Sequence, residues 1–338
     1  MAREPDGGFV HEVSVAVPVY QGQTSLVPVV EELLSHVEPA TTPDGHVWRV
    51  AEVLLVHDNG PDDSAGTIRA LAARHDVVRP VWLSRNFGQH AATLAGMASS
   101  GGDWVVTMDE DGQHDPADIA RFLDTAMREQ AALVYARPTN PAPHGSLRNS
   151  ASRAAKWVFS KVLSPDAPVH FQSYRLVLGE VGRSVAAYAG AGVYLDVAIG
   201  WVANRTAYCP VVLREEHGRR SGYSWRSLLA HFWRLALSSG TRGLRVVSVL
   251  GVLLAVLGVA LAVVLVVARL AGDVPVQGWT SVMVVTLIGT GSVLLCLGVV
   301  AEYVGVAVGM AMGRPLFLLV GDPAAGPLGA APAGRDGR

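Results

Sequence analysis

Cysteine is nearly absent from this chain: among 338 residues only Cys209 and Cys296 occur, far apart and outside any metal-ligand spacing. A disulfide framework and a zinc site are thereby excluded, and a reducing compartment suits the composition. No Gly-x-Gly-x-x-Gly or Walker loop is present, so a phosphate group has no glycine cradle to occupy. The formal net charge is only −2, which leaves no global bias toward nucleic acid or an acidic macromolecule, and no nucleic-acid partner is expected. Residues 1–11 carry Glu4 and Asp6 and no apolar run, so they read as an N-terminal extension rather than a signal peptide.

What charge there is, is unevenly placed. Acidic residues dominate up to about Asp124, basic ones are frequent from Arg137 to Arg245, and two later stretches carry almost none. This is the plan of a soluble domain, a basic collar and a membrane anchor.

The soluble part alternates strand and helix signals. Val13–Val19 reads as a strand running into Pro18-Val19-Tyr20-Gln21-Gly22, and residues 25–36 as a helix with Leu26, Val29, Val30, Leu33 and Leu34 on one face. Val53–Val56 is a short buried strand ending at His57-Asp58-Asn59-Gly60-Pro61. A helix (68–74), a strand (78–83), the loop Ser84-Arg85-Asn86-Phe87-Gly88-Gln89-His90 and a helix (91–99) follow. This rhythm predicts a mostly parallel sheet covered by helices on both faces, with Tyr20, Asp58, Arg85 and Asp109 gathering at the carboxyl ends of the strands.

The central stretch is Asp109-Glu110-Asp111-Gly112-Gln113-His114-Asp115-Pro116, directly after the strand-like Trp104–Met108. Asp109 and Asp111 alternate at the mouth of a buried strand, where two carboxylates and the Gln113 amide oxygen can converge on a hard divalent cation that holds a diphosphate. The plainer reading is a solvated acidic turn in which Asp115 or Asp118 caps the next helix.

Together these motifs resemble the family-2 glycosyltransferases of the GT-A fold over roughly residues 12–320. Pro18-Val19-Tyr20 resembles that family's first-strand motif, His57-Asp58-Asn59-Gly60 its Asp-Asp-Gly-Ser turn, and Asp109-Glu110-Asp111 with Gln113 its metal motif. Ser84-Arg85-Asn86-Phe87-Gly88 is similar to a loop of the polyprenyl-phosphate glycosyltransferases, which include dolichol-phosphate mannose synthases and bacterial polyprenyl-phosphate glucosyltransferases. The departures are His57, Asn59 and Pro61 in the second turn and Glu110 in the metal motif.

The resemblance implies a donor nucleotide at Pro18, Tyr20, Asp58, Arg85 and Asp109. It also implies Mg²⁺ or Mn²⁺ on Asp109, Asp111 and Gln113, with Asp109 and Asp111 essential to catalysis. For the lipid-phosphate acceptor it points to Arg137, Arg148 and Ser152. Arg214 to Ser224 resembles a mobile loop closing over the diphosphate, with Arg219 and Arg220 as its candidate guanidiniums. Phe171 to Leu176 is similar to the family's Phe-Arg-Leu segment, with no acidic residue before it. Asp196 stands alone in an apolar context and reads as a helix N-cap.

The domain plan is a GT-A domain over 12–215, a basic loop and interfacial helix over 216–243, two transmembrane helices within 244–312 and a C-terminal tail over 313–338. Trp225 to Ser239 has the amphipathic spacing of an interfacial helix. Val246–Ala268 and Trp279–Ala301 are uncharged and each long enough to span ~30 Å of hydrocarbon. Arg242, Arg245 and Arg314 flank this predicted hairpin and place the catalytic domain and both termini in the cytoplasm. Glu302-Tyr303-Val304-Gly305 and Arg314-Pro315-Leu316-Phe317 resemble the closing segment of the bacterial glucosyltransferases. From Gly321 the Ala/Gly/Pro-rich tail is expected to be disordered.

The function implied is inverting transfer of one sugar from a nucleotide-diphosphate sugar, UDP-glucose-like or GDP-mannose, to a polyprenyl phosphate at the membrane, by a chain that can form homo-oligomers. A processive polysaccharide synthase would need more spans and a Gln-x-x-Arg-Trp motif, which this chain lacks. A non-catalytic scaffold would not need Asp109 and Asp111.

Overall fold

The computed structural model describes residues 9–140, 172–190, 194–214, 278–313 and 315–327, together with positions 251, 253, 256, 258, 260, 263, 264, 267 and 329. They fall into two units, one comprising 1–150, 167–223 and 315–338, the other 151–166 and 224–314.

The first unit is built on a nine-stranded sheet. In chain order its elements are β1 (Val10–Val19), α1 (Leu26–Leu34), β2 (Ala40–Thr41), β3 (Val47–His57), α2 (Ser64–Arg74), β4 (Val78–Leu83), α3 (Gln89–Ser99) and β5 (Trp104–Thr107). Then come α4 (Asp118–Glu129), β6 (Leu133–Pro138), β7 (Arg175–Leu178), α5 (Gly179–Tyr188), α6 (Leu195–Val202), β8 (Thr206–Val211) and, after the second unit, β9 (Leu319–Val320). The strands lie in the order β8-β6-β7-β5-β1-β3-β4-β9, with β2 beside β3.

Strand alternation explains the two helical layers. Val13, Val15, Val17 and Val19 of β1 join one apolar cluster with Leu26, Val30 and Leu33 of α1, Ile68 and Leu71 of α2 and Phe122 of α4. Ala16, on the opposite face, packs with Leu94 and Met97 of α3 and Val185 of α5. Both faces are covered, so the strands read as near-continuous apolar runs, and burying each Val or Leu contributes roughly 1.5–3 kcal/mol. A Cβ on Gly96 would come within 2.8 Å of the Ala16 methyl, so any larger residue there would push α3 off the sheet.

The sheet is mostly parallel but mixed: β1, β3, β4, β5, β6 and β8 run one way and β2, β7 and β9 the other. β5, β1, β3 and β4 are mutually parallel, as are β6 and β8, but β7 pairs antiparallel with both β5 and β6, and β2 and β9 run antiparallel to their partners. The cause is an insertion from later in the chain: β7 enters between β5 and β6, which would otherwise be neighbours. No local pattern in β5 or β6 announces that.

Two capping expectations are also corrected. The residue before α4 is Ala117, with no side-chain cap; Asp115 instead accepts from the Ala117 N–H at 2.9 Å, and Asp118 is inside the helix. Asp196 lies one residue inside α6, whose cap position is Tyr194, and it is buried in an ion pair with Arg175 while accepting from the Tyr135 hydroxyl at 2.8 Å.

The tail is not uniformly disordered either. Residues 315–327 belong to the sheet unit, with Leu319 and Val320 paired to Leu83 and Trp82 of β4 and Asp322 gripping Arg69.

In the second unit, α7 (Trp279–Ala311) is a 33-residue helix, and its segment Ile288–Val308 is long and apolar enough to cross a membrane. It continues ten residues beyond the predicted end at Ala301, because Glu302 is a good helix former and ends only the apolar run. Of the first apolar run, the described positions 251, 253, 256, 258, 260, 263, 264 and 267 are helical. The rest of that run, and the interfacial helix expected over 225–239, lie outside the described residues.

Candidate active site

Parallel strands deliver their carboxyl ends to one edge of the sheet. There Val19 is level with His57, His57 with Trp82, and Ala16 with Thr107, so the turns after β1, β3, β4 and β5 converge.

The turn after β5 presents the acidic motif. Asp109 is held at three points: Oδ1 accepts from Gln89 Nε2 at 2.6 Å, Oδ2 accepts from Ser173 Oγ at 2.6 Å, and its backbone N–H donates to His114 Nδ1 at 3.1 Å. His114 is buried and stacked on Tyr174, with ring centroids 4.6 Å apart. Burial pushes its imidazole below the ordinary value, which favours the neutral ring that this acceptor role requires. Asp111 Oδ1 accepts from the Gln113 N–H at 3.0 Å, and burial, reinforced by the charge of Asp109, holds its carboxyl above the usual range.

Asp109, Asp111 and the Gln113 amide offer only oxygen donors, the chemistry suited to Mg²⁺ or Mn²⁺, and the mutual repulsion raising Asp111 is what a cation between the two carboxylates would relieve. Among the described residues no group of three or more His, Cys, Asp or Glu side chains could hold a metal ion by itself. Two carboxylates with the remaining positions filled by diphosphate oxygens or water is the arrangement Mg²⁺ accepts. The residues fit the ion.

Glu110, between the two aspartates, turns the other way. Its carboxylate accepts from the backbone N–H groups of Tyr20 and Gln21, each at 3.0 Å, and so ties the end of β1 to the acidic turn. Pro18 is half-buried in β1, and Tyr20 is 44% exposed at the edge of the site.

The turn after β3 is more enclosed. Asp58 is buried, and its two carboxylate oxygens accept from the N–H groups of Phe87 and Gly88 at 2.7 and 2.8 Å. Burial raises its carboxyl, with those two hydrogen bonds opposing the shift. Asn59 adopts φ 49°, which asparagine tolerates, and donates from Nδ2 to the Leu83 carbonyl at 2.6 Å. A Cβ on Gly60 would collide with the Tyr20 carbonyl at 1.4 Å, so glycine alone lets these two strand ends close together. Arg85 is exposed on the loop held by Asp58, with its guanidinium 4.0 Å from the Phe87 ring centroid.

Sequence reasoning missed several supports. Gln89, Ser173, His114 and Arg214 all act on the acidic turn, the last donating its N–H to the Gln113 carbonyl at 3.0 Å and pairing with Asp115 at 2.9 Å and Glu32 at 2.7 Å. Ser173 is itself placed by a buried chain: Asp196 pairs with Arg175, Arg175 Nε donates to Thr107 Oγ1 at 3.2 Å, and that hydroxyl donates to the Ser173 carbonyl. The only advance signal was the Phe-Arg-Leu-like segment that carries Ser173 and Arg175. Arg137 is exposed near the end of β6, level with Pro210, and among the described residues no contact joins it to the acidic turn. Arg148, Ser152, Arg219 and Arg220 lie outside the described residues.

Comparison with known proteins shows the family of the chain. Residues 14–178 match the glycosyl transferase family 2 profile. The undecaprenyl-phosphate 4-deoxy-4-formamido-L-arabinose transferase of Pseudomonas fluorescens (strain SBW25) is 31% identical over 319 residues, covering 92% of this chain and 89% of that one. The protein of the same name from Klebsiella pneumoniae (strain 342) is 28% identical over 324 residues, covering 92% and 93%. Among solved structures, mannosyl-3-phosphoglycerate synthase from Rubrobacter xylanophilus superposes with a TM-score of 0.48 at 17% identity, over 70% of this chain and 74% of that one. The chain is a family-2 glycosyltransferase of the polyprenyl-phosphate group.

Proposed function

We propose that this enzyme transfers a single sugar from a nucleotide-diphosphate sugar to a polyprenyl phosphate, with inversion at the anomeric carbon, using Mg²⁺ or Mn²⁺. The observation that carries this reading is the acidic turn, with Asp109 pinned by Gln89 and Ser173 and Asp111 beside it, set at the strand ends. Nucleoside recognition falls to Pro18, Tyr20, Asp58 and Arg85 around the neighbouring turn. Arg137, Arg148, Ser152, Arg219 and Arg220 are the candidates for the phosphates of acceptor and donor.

Asp109, Asp111 and Gln113 would hold the cation, which when bound neutralises the charge developing on the departing nucleoside diphosphate. The acceptor oxygen is already anionic at neutral pH, so no strong general base is required. Asp196, a buried carboxylate near β7, is occupied by Arg175 and Tyr135. Attack from the face opposite the leaving group gives a β-linked product from an α-linked donor. We place the enzyme in the cytoplasmic membrane, anchored by α7 and the apolar run before it, with the catalytic domain in the cytoplasm.

The relatives' names add 4-deoxy-4-formamido-L-arabinose to the glucose and mannose donors suggested by the sequence motifs. The test is a panel of labelled UDP-4-deoxy-4-formamido-L-arabinose, UDP-glucose and GDP-mannose given to purified enzyme with undecaprenyl phosphate. Label in the extracted lipid, lost on chelation and restored by Mn²⁺, is the expected result. Transfer that survives chelation would overturn the metal role, and no lipid-linked label from any donor would overturn the reaction.

A further inference from the structure

The segment following α7 in the chain returns to the sheet beside the turn assigned to the donor nucleoside. Leu319 and Val320 pair antiparallel with Leu83 and Trp82, and the Ser84 N–H donates to the Leu318 carbonyl at 3.0 Å. The added strand therefore reaches the first residue of the Ser84–Gly88 loop. Without it, β4 would be an open sheet edge with unpaired main-chain groups.

The strand's own side chains are not what hold it. Leu318, Leu319 and Val320 are 52%, 45% and 39% exposed. The anchors lie on either side. Phe317 packs against a cluster of Leu54, Val56, Leu83, Ala92 and Ala95, and so does Phe87, whose N–H is fixed by Asp58. On the α2 face, Asp322 receives Arg69 through Nε at 2.8 Å and a terminal nitrogen at 2.7 Å, a two-point geometry that specifies position as well as energy. Arg69 lies 4.9 Å from the centroid of the Trp82 ring, and His57, the residue before Asp58, meets that ring edge-on at 5.3 Å. Both strand residues that lead into the donor turn are thus backed by groups the tail holds in place.

We propose that Pro315–Asp322 is a positioning clasp for the nucleotide site: strand addition at β4, Phe317 on the apolar cluster that also seats Phe87, and Asp322 on Arg69 hold the Ser84–Gly88 loop and the end of β3 in the shape that receives the nucleoside. This rests on the donor reading above. Phe317 and Asp322 are positioning residues, and neither need touch substrate. The clasp makes donor affinity depend on residues that follow the membrane helix in the chain, which a plan of separate catalytic and anchoring parts does not anticipate.

The test is calorimetric binding of UDP and of GDP with Mn²⁺ to the full chain in detergent, beside Phe317→Ser, Phe317→Leu, Asp322→Asn and a chain ending at Arg314 that keeps both apolar runs. The Kd of whichever nucleotide binds should rise about tenfold or more in the shortened chain and in Phe317→Ser, less in Asp322→Asn, and recover in Phe317→Leu. Adding a synthetic peptide of residues 315–327 to the shortened chain should restore affinity. The KM for polyprenyl phosphate should stay within about twofold, and exchange of the Phe87 and Gly88 amides should quicken in Phe317→Ser. Unchanged nucleotide affinity in both Phe317→Ser and the shortened chain, with the full chain binding normally, would overturn the clasp alone. A full chain that binds neither nucleotide would overturn the donor reading beneath it.

Discussion

The turns after β3 and β5 look alike as sequence, His57-Asp58-Asn59-Gly60 against Asp109-Glu110-Asp111-Gly112, yet they use their acids in opposite ways. Asp58 is turned inward, with both oxygens committed to the N–H groups of Phe87 and Gly88, so its charge organises a loop. Asp109 likewise accepts one hydrogen bond on each oxygen, from Gln89 and Ser173, and Asp111 accepts one from Gln113, but both are only half-buried, so their remaining lone pairs are accessible to a cation. A carboxylate at a strand end can shape a site or do chemistry in it, and its burial and hydrogen-bond partners decide which.

The sharpest way to break this contrast is to neutralise each turn. Asp111→Asn should lower turnover by at least about 10²- to 10³-fold while leaving the thermal midpoint and membrane insertion unchanged, measured by lipid-linked product and a melting curve. Asp58→Ala should do the reverse in kind. It leaves two N–H groups without acceptors, costs about 1–3 kcal/mol of stability in a denaturant titration, and weakens nucleotide binding without altering the metal dependence of what activity remains. Equal loss of stability in both variants would erase the distinction.

A second pair of variants separates direct from relayed support. Ser173→Ala removes one hydrogen bond to Asp109 and should raise the Mn²⁺ concentration needed for half activity by a factor of about 3–10, with protein stability little changed. Asp196→Asn sits farther along the same chain but leaves Arg175 buried without its counter-charge, so it should destabilise the fold by about 3–5 kcal/mol. If Asp196→Asn neither lowered stability nor altered metal activation, the relay would be the wrong description.

The smallest effect concerns pH. His57 is buried, and among the described residues neither ring nitrogen has a hydrogen-bond partner; burial, aided by Arg69, depresses its imidazole below 6.5. The unfolded chain therefore binds more protons than the folded one as pH falls through 6.5, and folded stability declines over the same range. His57→Phe should make that acid-side loss shallower in denaturant titrations between about pH 7.5 and 5. His11, His36 and His114 are depressed in the same direction and supply the slope that remains.

Much of the candidate site is legible in the sequence. The acidic turn, the second-strand turn and the Ser84–Gly88 loop are short motifs whose residues are contiguous, so their place at strand ends and their resemblance to family motifs mark them. Contacts made across long separations were not. Ser173 stands 64 positions from Asp109, Glu110 reaches back 90 to Tyr20, and Asp322 spans 253 to Arg69. Asp196 read as a cap because an isolated acid before a helix usually is one; only the arrival of Arg175 on β7 made a buried ion pair available.

Local chemistry in the chain was enough to specify the strand–helix rhythm, the acidic turn with its oxygen donors and the apolar helix, since each depends on neighbours within a few residues. The antiparallel insertion of β7, the inward orientation of Asp58 and the docking of Pro315–Asp322 on β4 were settled by folding. Each requires segments distant in the chain to meet, and the hydrogen bonds and packing that select those meetings exist only once the sheet has formed.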